Sequence, residues 1–194
     1  MTNTRAGLGR IACARPLAAA VLALGILLTA CNGDDITALP EAVPRGPAYS
    51  LGDTNDQGSL GWGANTLSGT PVVVPRSTHL LRFGIIGYGT GPNFRMALYT
   101  DNAGTPFQLV AATPGKPLQN GPQEVAVPDQ IIAAGNYWIM VVLDATTSIG
   151  ANNNGTLPPY KTVAQNYGSP LPSTLSGVSS GPNHNINFWI VVRD

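Results

Sequence analysis

Tyr137-Trp138-Ile139-Met140-Val141-Val142-Leu143 is the stretch whose reading decides the fold class. In an extended chain Tyr137, Ile139, Val141 and Leu143 point to one side and Trp138, Met140 and Val142 to the other. Seven apolar residues with this alternation, and no helical spacing, predict a β-strand with one face in a core. The same period of two recurs on either side. Leu81, Phe83 and Ile85 alternate with Leu80, Arg82, Gly84 and Ile86. Phe94, Met96 and Leu98 alternate with Arg95, Ala97 and Tyr99, and Ile186, Phe188, Ile190 and Val192 with Asn187, Trp189 and Val191. Shorter strands are expected at Pro71–Val74, Phe107–Ala112 and Glu124–Val127.

Turn chemistry separates these runs: Tyr88-Gly89-Thr90-Gly91-Pro92-Asn93, Asp101-Asn102-Ala103-Gly104 and Thr113-Pro114-Gly115. The spacing predicts seven or eight strands over about 145 residues, with no sustained 3.6-residue periodicity. Many short strands without helices point to an all-β, antiparallel two-sheet sandwich. Residues 145–184 break the rhythm. They hold Asn152-Asn153-Asn154-Gly155, Pro158-Pro159, Pro170 and Pro172, and read as a long functional or disordered loop before the last strand.

The N-terminus is of another kind. Arg5, Arg10 and Arg15 form a basic region without acids, and Leu17–Leu28 is a twelve-residue apolar run. That is a secretory signal, too short for a spanning helix, which needs about 20 apolar residues. It ends in Leu28-Thr29-Ala30-Cys31, which resembles the bacterial lipobox. The resemblance implies cleavage before Cys31 and lipidation of that cysteine, hence a membrane anchor in the cell envelope. Asn32 follows, not the aspartate that resembles an inner-membrane retention signal, so the outer membrane is favoured in a host with two membranes. The expected organisation is a signal peptide over residues 1–30, a lipidated cysteine and Pro-rich tether over 31–47, and a sandwich domain over 48–194.

Composition narrows the function. Charged residues make up 10% of the chain, against a usual figure of about 25%. Without its signal the chain keeps seven basic and ten acidic residues, a net charge of −3. No basic patch remains for nucleic acid. The only cysteines are Cys13, in the signal, and Cys31, so the domain has no disulfide, thiolate metal site or cysteine nucleophile.

A second resemblance concerns the domain. Arg95-Met96-Ala97-Leu98-Tyr99-Thr100-Asp101-Asn102-Ala103-Gly104-Thr105-Pro106, Leu109-Val110-Ala111 and Ala134-Gly135-Asn136-Tyr137-Trp138-Ile139 look like a recurrent β-sandwich module of bacterial surface and exported proteins. The match spans roughly residues 80–143 and implies a jelly-roll-like accessory domain. Such a module does not determine function. This chain departs from it by the long loop after Leu143 and by lacking a partner domain.

The chemical constellations are sparse. Gly177-Val178-Ser179-Ser180-Gly181 matches the G-x-S-x-G nucleophile elbow, which requires a strand before and a helix after. Pro182 follows instead, and no acid lies between Ser179 and His184, so no enzyme activity is expected. His79 and His184, the only imidazoles, read as strand-end surface residues. Asp53-Thr54-Asn55-Asp56-Gln57-Gly58 has oxygen ligands suited to Ca²⁺, but Ala64 stands where the twelfth-position glutamate belongs. No cofactor is expected, a structural Ca²⁺ being the one metal left open, and no metal-ligating residue is assigned.

The aromatics carry the ligand expectation. Trp138 and Trp189 read as a second buried layer or as covered by the long loop. Trp62, Tyr88, Tyr160 and Tyr167 lie among Gly, Asn and Pro and read as exposed loop rings. Such rings beside amides suit stacking on sugar faces, and equally a protein contact. The expected function is a non-catalytic binding or adhesion lipoprotein that recognises glycan or envelope polymer. The alternative is a structural envelope lipoprotein that works through protein contacts alone.

Overall fold

A computed structural model describes residues 46–156 and 158–194. The signal peptide, Cys31 and nearly all of the tether lie outside the described residues. The described chain is all-β. Its strands are β1 (Tyr49–Gly52), β2 (Ser59–Trp62), β3 (Thr66–Val74), β4 (Thr78–Gly87), β5 (Asn93–Asp101), β6 (Pro106–Ala112), β7 (Lys116–Pro117), β8 (Gly121–Ile132), β9 (Gly135–Leu143), β10 (Thr147–Asn152), β11 (Lys161–Ala164), β12 (Ser179–Ser180), β13 (Asn185–Ile186) and β14 (Phe188–Arg193). They form two antiparallel sheets. One runs β1-β14-β4-β10-β13, with β8 on β4 and β2 on β10; the other runs β12-β11-β3-β9-β5-β6, with β7 on β5.

The main core lies between the sheets. Phe83, Ile85, Phe188, Ile190 and Val192 face Phe94, Met96, Leu98, Ile139, Val141 and Leu143. Each fully buried side chain of this size contributes about 1.5–3 kcal/mol. The inward face of β9 is the one expected from the sequence. In β4 the parity changes partway along. Val191 and Val192 of β14 face Arg82 and Leu80, so Leu81 is an extra residue in the ladder. This bulge turns Leu80 into the core and leaves Leu81 half-buried, the reverse of the sequence expectation. One inserted residue is enough, because side chains alternate with a period of two.

There are more strands than the expected seven or eight, and several are longer. Glu124–Val127 extends to the twelve residues of β8 despite Pro122 and Pro128. Among the described residues this strand pairs with β4 alone, so it is an edge there, where a missing N–H is tolerated. The segment 145–184 is not a featureless loop: it contributes β10, β11 and β12. Its stretch from Tyr167 to Val178 folds back over the outer face of the second sheet. There Leu171, Leu175 and Val178 cover Leu67, Tyr99, Trp138, Met140 and Val142. Leu175 and Gln108–Leu109 are tied by backbone bonds and a bridge through Phe107, Ser173 and Thr174. Trp138 is thus buried beneath this cover, one of the two readings of its face.

Trp189 is buried on the outer face of the first sheet, with Ile86 and Val191. Its indole lies across Gly84, where a Cβ would come within 1.9 Å of the ring. Only glycine leaves that space. The indole N–H donates to Glu124 at 3.1 Å, and Arg82 holds the other carboxylate oxygen at 2.7 Å.

Candidate functional site

Clefts indent the described surface. One of about 430 Å³ opens between β1 and β3 beside the Asp53–Gly58 loop. A second, of about 350 Å³, lies over Val73, Trp138 and Pro158-Pro159. The third, of about 310 Å³, is where two of the four expected aromatic residues meet.

Trp62 ends β2 in one sheet, and Tyr160 immediately precedes β11 in the other. His184 comes just before β13. The three rings form one cluster: Trp62 and Tyr160 have centroids 5.3 Å apart, and Tyr160 and His184 stack at 5.2 Å with planes 16° apart. Phe188 meets Trp62 edge-on from the core. Tyr160 lies over Gly181, where a Cβ would fall 2.1 Å from the ring. The Gly181 N–H donates to the Tyr160 carbonyl at 2.9 Å, which closes the segment around the ring. Thr66, Ser68 and Thr162 supply hydroxyls to the lining, Ser68 and Thr162 being 3.1 Å apart.

The electrostatics of this cleft are unusual for so buried a place. Trp62 and His184 are 6% and 9% exposed, yet Trp62 Nε1 and His184 Nδ1 have no partner among the described residues. The other two tryptophans are satisfied, Trp138 donating to Asp101 at 2.6 Å and Trp189 to Glu124. A buried polar group without a partner costs about 1–3 kcal/mol, and two such groups belong to side chains lining this one cleft. Thr70 Oγ1 is likewise unpartnered in the cleft beside β1, but no aromatic ring lines that one.

Trp62 therefore departs from the sequence expectation. It is a strand residue whose ring packs into the core and not an exposed loop ring, because Gly61 and Gly63 around it belong to a short strand and its end. Tyr160 is half-buried. Tyr88 and Tyr167 lie outside the cleft. Tyr88, 38% exposed, donates its hydroxyl to Asp56, which lowers the carboxyl's pKa and raises the phenol's. Tyr167 is packed into the outer cover, with the Arg95 guanidinium 5.8 Å from its ring centre. Arg95 also donates to the Tyr167 and Ser169 carbonyls, so this tyrosine holds the cover down.

His184 is the residue the sequence reading missed. It is buried, not on the surface, and nothing in Gly181-Pro182-Asn183-His184 marks it. Its place follows from the aromatic wall across from it. His79 is at the start of β4, with Nδ1 2.6 Å from Asp129. Ser179 lies in a two-residue strand on the sheet edge, and no helix follows it, so the elbow geometry does not form. In the Asp53–Gly58 loop the carboxylates close local turns: Asp53 accepts from the Asn55 N–H and Gln57 Nε2, and Asp56 from the Gly58 N–H. Among the described residues no group of three or more His, Cys, Asp or Glu side chains is placed to hold a metal.

The class that fold and site define is a β-sandwich with an aromatic, polar-floored cleft between its sheets. No known protein family matches the chain, and no curated protein is similar to it.

Proposed function

We propose that this chain is a lipid-tethered, non-catalytic binding module of the cell envelope that takes a glycan or envelope polymer at the Trp62–Tyr160–His184 cleft. The observation that carries this reading is the cleft itself, with aromatic walls and two buried polar atoms left without partners. Aromatic faces pack against the C–H faces of a sugar while its hydroxyls satisfy the polar atoms.

The chain enters at β1, where Tyr49 pairs with Val192, itself opposite Leu80. Trp62 pairs with Thr147 of β10, which meets β4 at its far end, Gly87. Leu80 and Gly87 are about 23 Å apart along a strand. Tyr49 and Trp62 thus lie toward opposite ends of the first sheet. The anchor rests on Leu28-Thr29-Ala30-Cys31 and places the protein in the envelope, with the outer membrane favoured.

The test uses the full chain expressed in a bacterial envelope. Labelled palmitate is expected on the wild type and not on Cys31→Ala. Envelope polysaccharide is expected to retain the folded protein, heat-unfolded protein to pass through, and Tyr160→Ala to lose retention. Retention that survives Tyr160→Ala removes the cleft from the function. Absence of retention by any envelope polymer favours the structural alternative, for which Ile131, 68% exposed on edge strand β8, is the contact to examine.

A further inference from the structure

We infer that the cleft accepts a single uncharged sugar ring and discriminates against charged sugars; this rests on the binding reading above. Size sets the first limit. A cleft of about 310 Å³ is at the lower end of ligand sites, which start at about 300 Å³. It suits one ring at a chain end more than a threaded polymer.

Charge sets the second limit. Beside the three rings the cleft lining offers the hydroxyls of Thr66, Ser68 and Thr162, and it holds no carboxylate, ammonium or guanidinium. A carboxylate or amine on the ligand would be desolvated there without a permanently charged counter-ion, which is unfavourable. A purely apolar ligand would leave the Trp62 indole N–H and His184 Nδ1 unpaired. A hydroxyl accepts from the indole and serves either tautomer of the imidazole, since it both donates and accepts. Ser68 and Thr162 offer the same double capacity.

Ring geometry sets the third limit. Trp62 and Tyr160 are tilted by 48°, and the stacked Tyr160 and His184 are only 5.2 Å apart. No two ring faces stand parallel with a gap that admits a planar base. A puckered ring resting against one aromatic wall meets no such constraint.

The indole N–H of Trp62 makes the experiment site-specific. Uniformly ¹⁵N-labelled full chain in detergent gives three indole cross-peaks, and those of Trp138 and Trp189 act as internal controls because both are bonded within the protein. The probes are the methyl pyranosides of glucose, galactose and N-acetylglucosamine, with glucuronic acid, glucosamine and adenosine as counter-probes. The expected result is a saturable shift of the Trp62 peak alone with at least one neutral pyranoside, and at least tenfold weaker binding of each counter-probe. His184→Phe is expected to weaken binding at least tenfold. Thr162→Val, on a partly exposed site, checks the polar wall should the histidine variant lose the control peaks. No shift with any neutral pyranoside, or an equal shift with a charged sugar or adenosine, overturns the inference. If envelope polysaccharide is retained while the Trp62 peak stays unmoved, this inference fails and the binding reading survives; if neither responds, both fail.

Discussion

Trp62 and Trp138 are both buried indoles, and they differ in one bond. Trp138 donates to Asp101 at 2.6 Å, whereas Trp62 Nε1 has no acceptor among the described residues. Trp→Phe removes a similar volume at each site. Trp138→Phe also strips a partly buried carboxylate of its donor, so it should cost about 1–3 kcal/mol more than Trp62→Phe. Urea unfolding of the two variants measures the difference; equal losses would mean that the Asp101 bond adds nothing net. Ala103 presents the opposite case. Its φ is 51°, in the left-handed region, in the two-residue turn between β5 and β6, where Gly104 follows at 79°. Asn102 and Thr105 exchange both backbone bonds across it, as a type I′ hairpin requires. A left-handed alanine costs about 1–2 kcal/mol, and asparagine tolerates the conformation better. Ala103→Asn should therefore raise stability by up to about 1 kcal/mol in the same assay.

At the scale of elements, β3 is held unevenly. β9 pairs with it from Ser68 to Val74, but β11 covers its other edge only from Thr66 to Gly69. From Thr70 to Val74 that edge has no partner strand among the described residues, and Val73 there is 62% exposed. Pro71 withholds an N–H from this open edge, a common protection against edge-to-edge pairing. Pro71→Val should produce larger species at high concentration, seen by light scattering after gel filtration. An unchanged profile would show that the edge is protected by other means. The strands foreseen from alternation, such as β5, β9 and β14, carry their own pattern. The short strands β2, β11 and β13 do not, being too brief and too polar to announce themselves; they exist through the register of their neighbours.

At the scale of the whole molecule, the segment from Tyr167 to Val178 turns a two-layer sandwich into one with a second, smaller core on its outer face. Tyr99 is its anchor: the ring is fully buried, and the hydroxyl donates to the Pro172 carbonyl at 3.0 Å. Burial pushes its pKa up to about 12, with Arg95 opposing. An unfolded tyrosine titrates near about 10, so the folded chain holds this proton more tightly than the unfolded one. Its contribution is intact below about pH 10 and is lost as the pH rises toward about 12. Alkaline unfolding followed by phenolate absorbance should show this loss, and Tyr99→Phe should flatten it. A profile unchanged by Tyr99→Phe would place the alkaline transition elsewhere.

The sequence by itself determined that this is an antiparallel β-sandwich and which faces of β5, β9 and β14 are inward; it offered four aromatics for a site and could not say which of them meet. Alternation is a local property, so it survives being read one strand at a time. The parity change at Leu81, the cover over Trp138 and the joining of Trp62, Tyr160 and His184 were decided only by the tertiary structure. Each depends on residues brought together from distant parts of the chain, on bulges that a period of two cannot announce, and on whether a buried N–H finds a partner across the gap between two sheets.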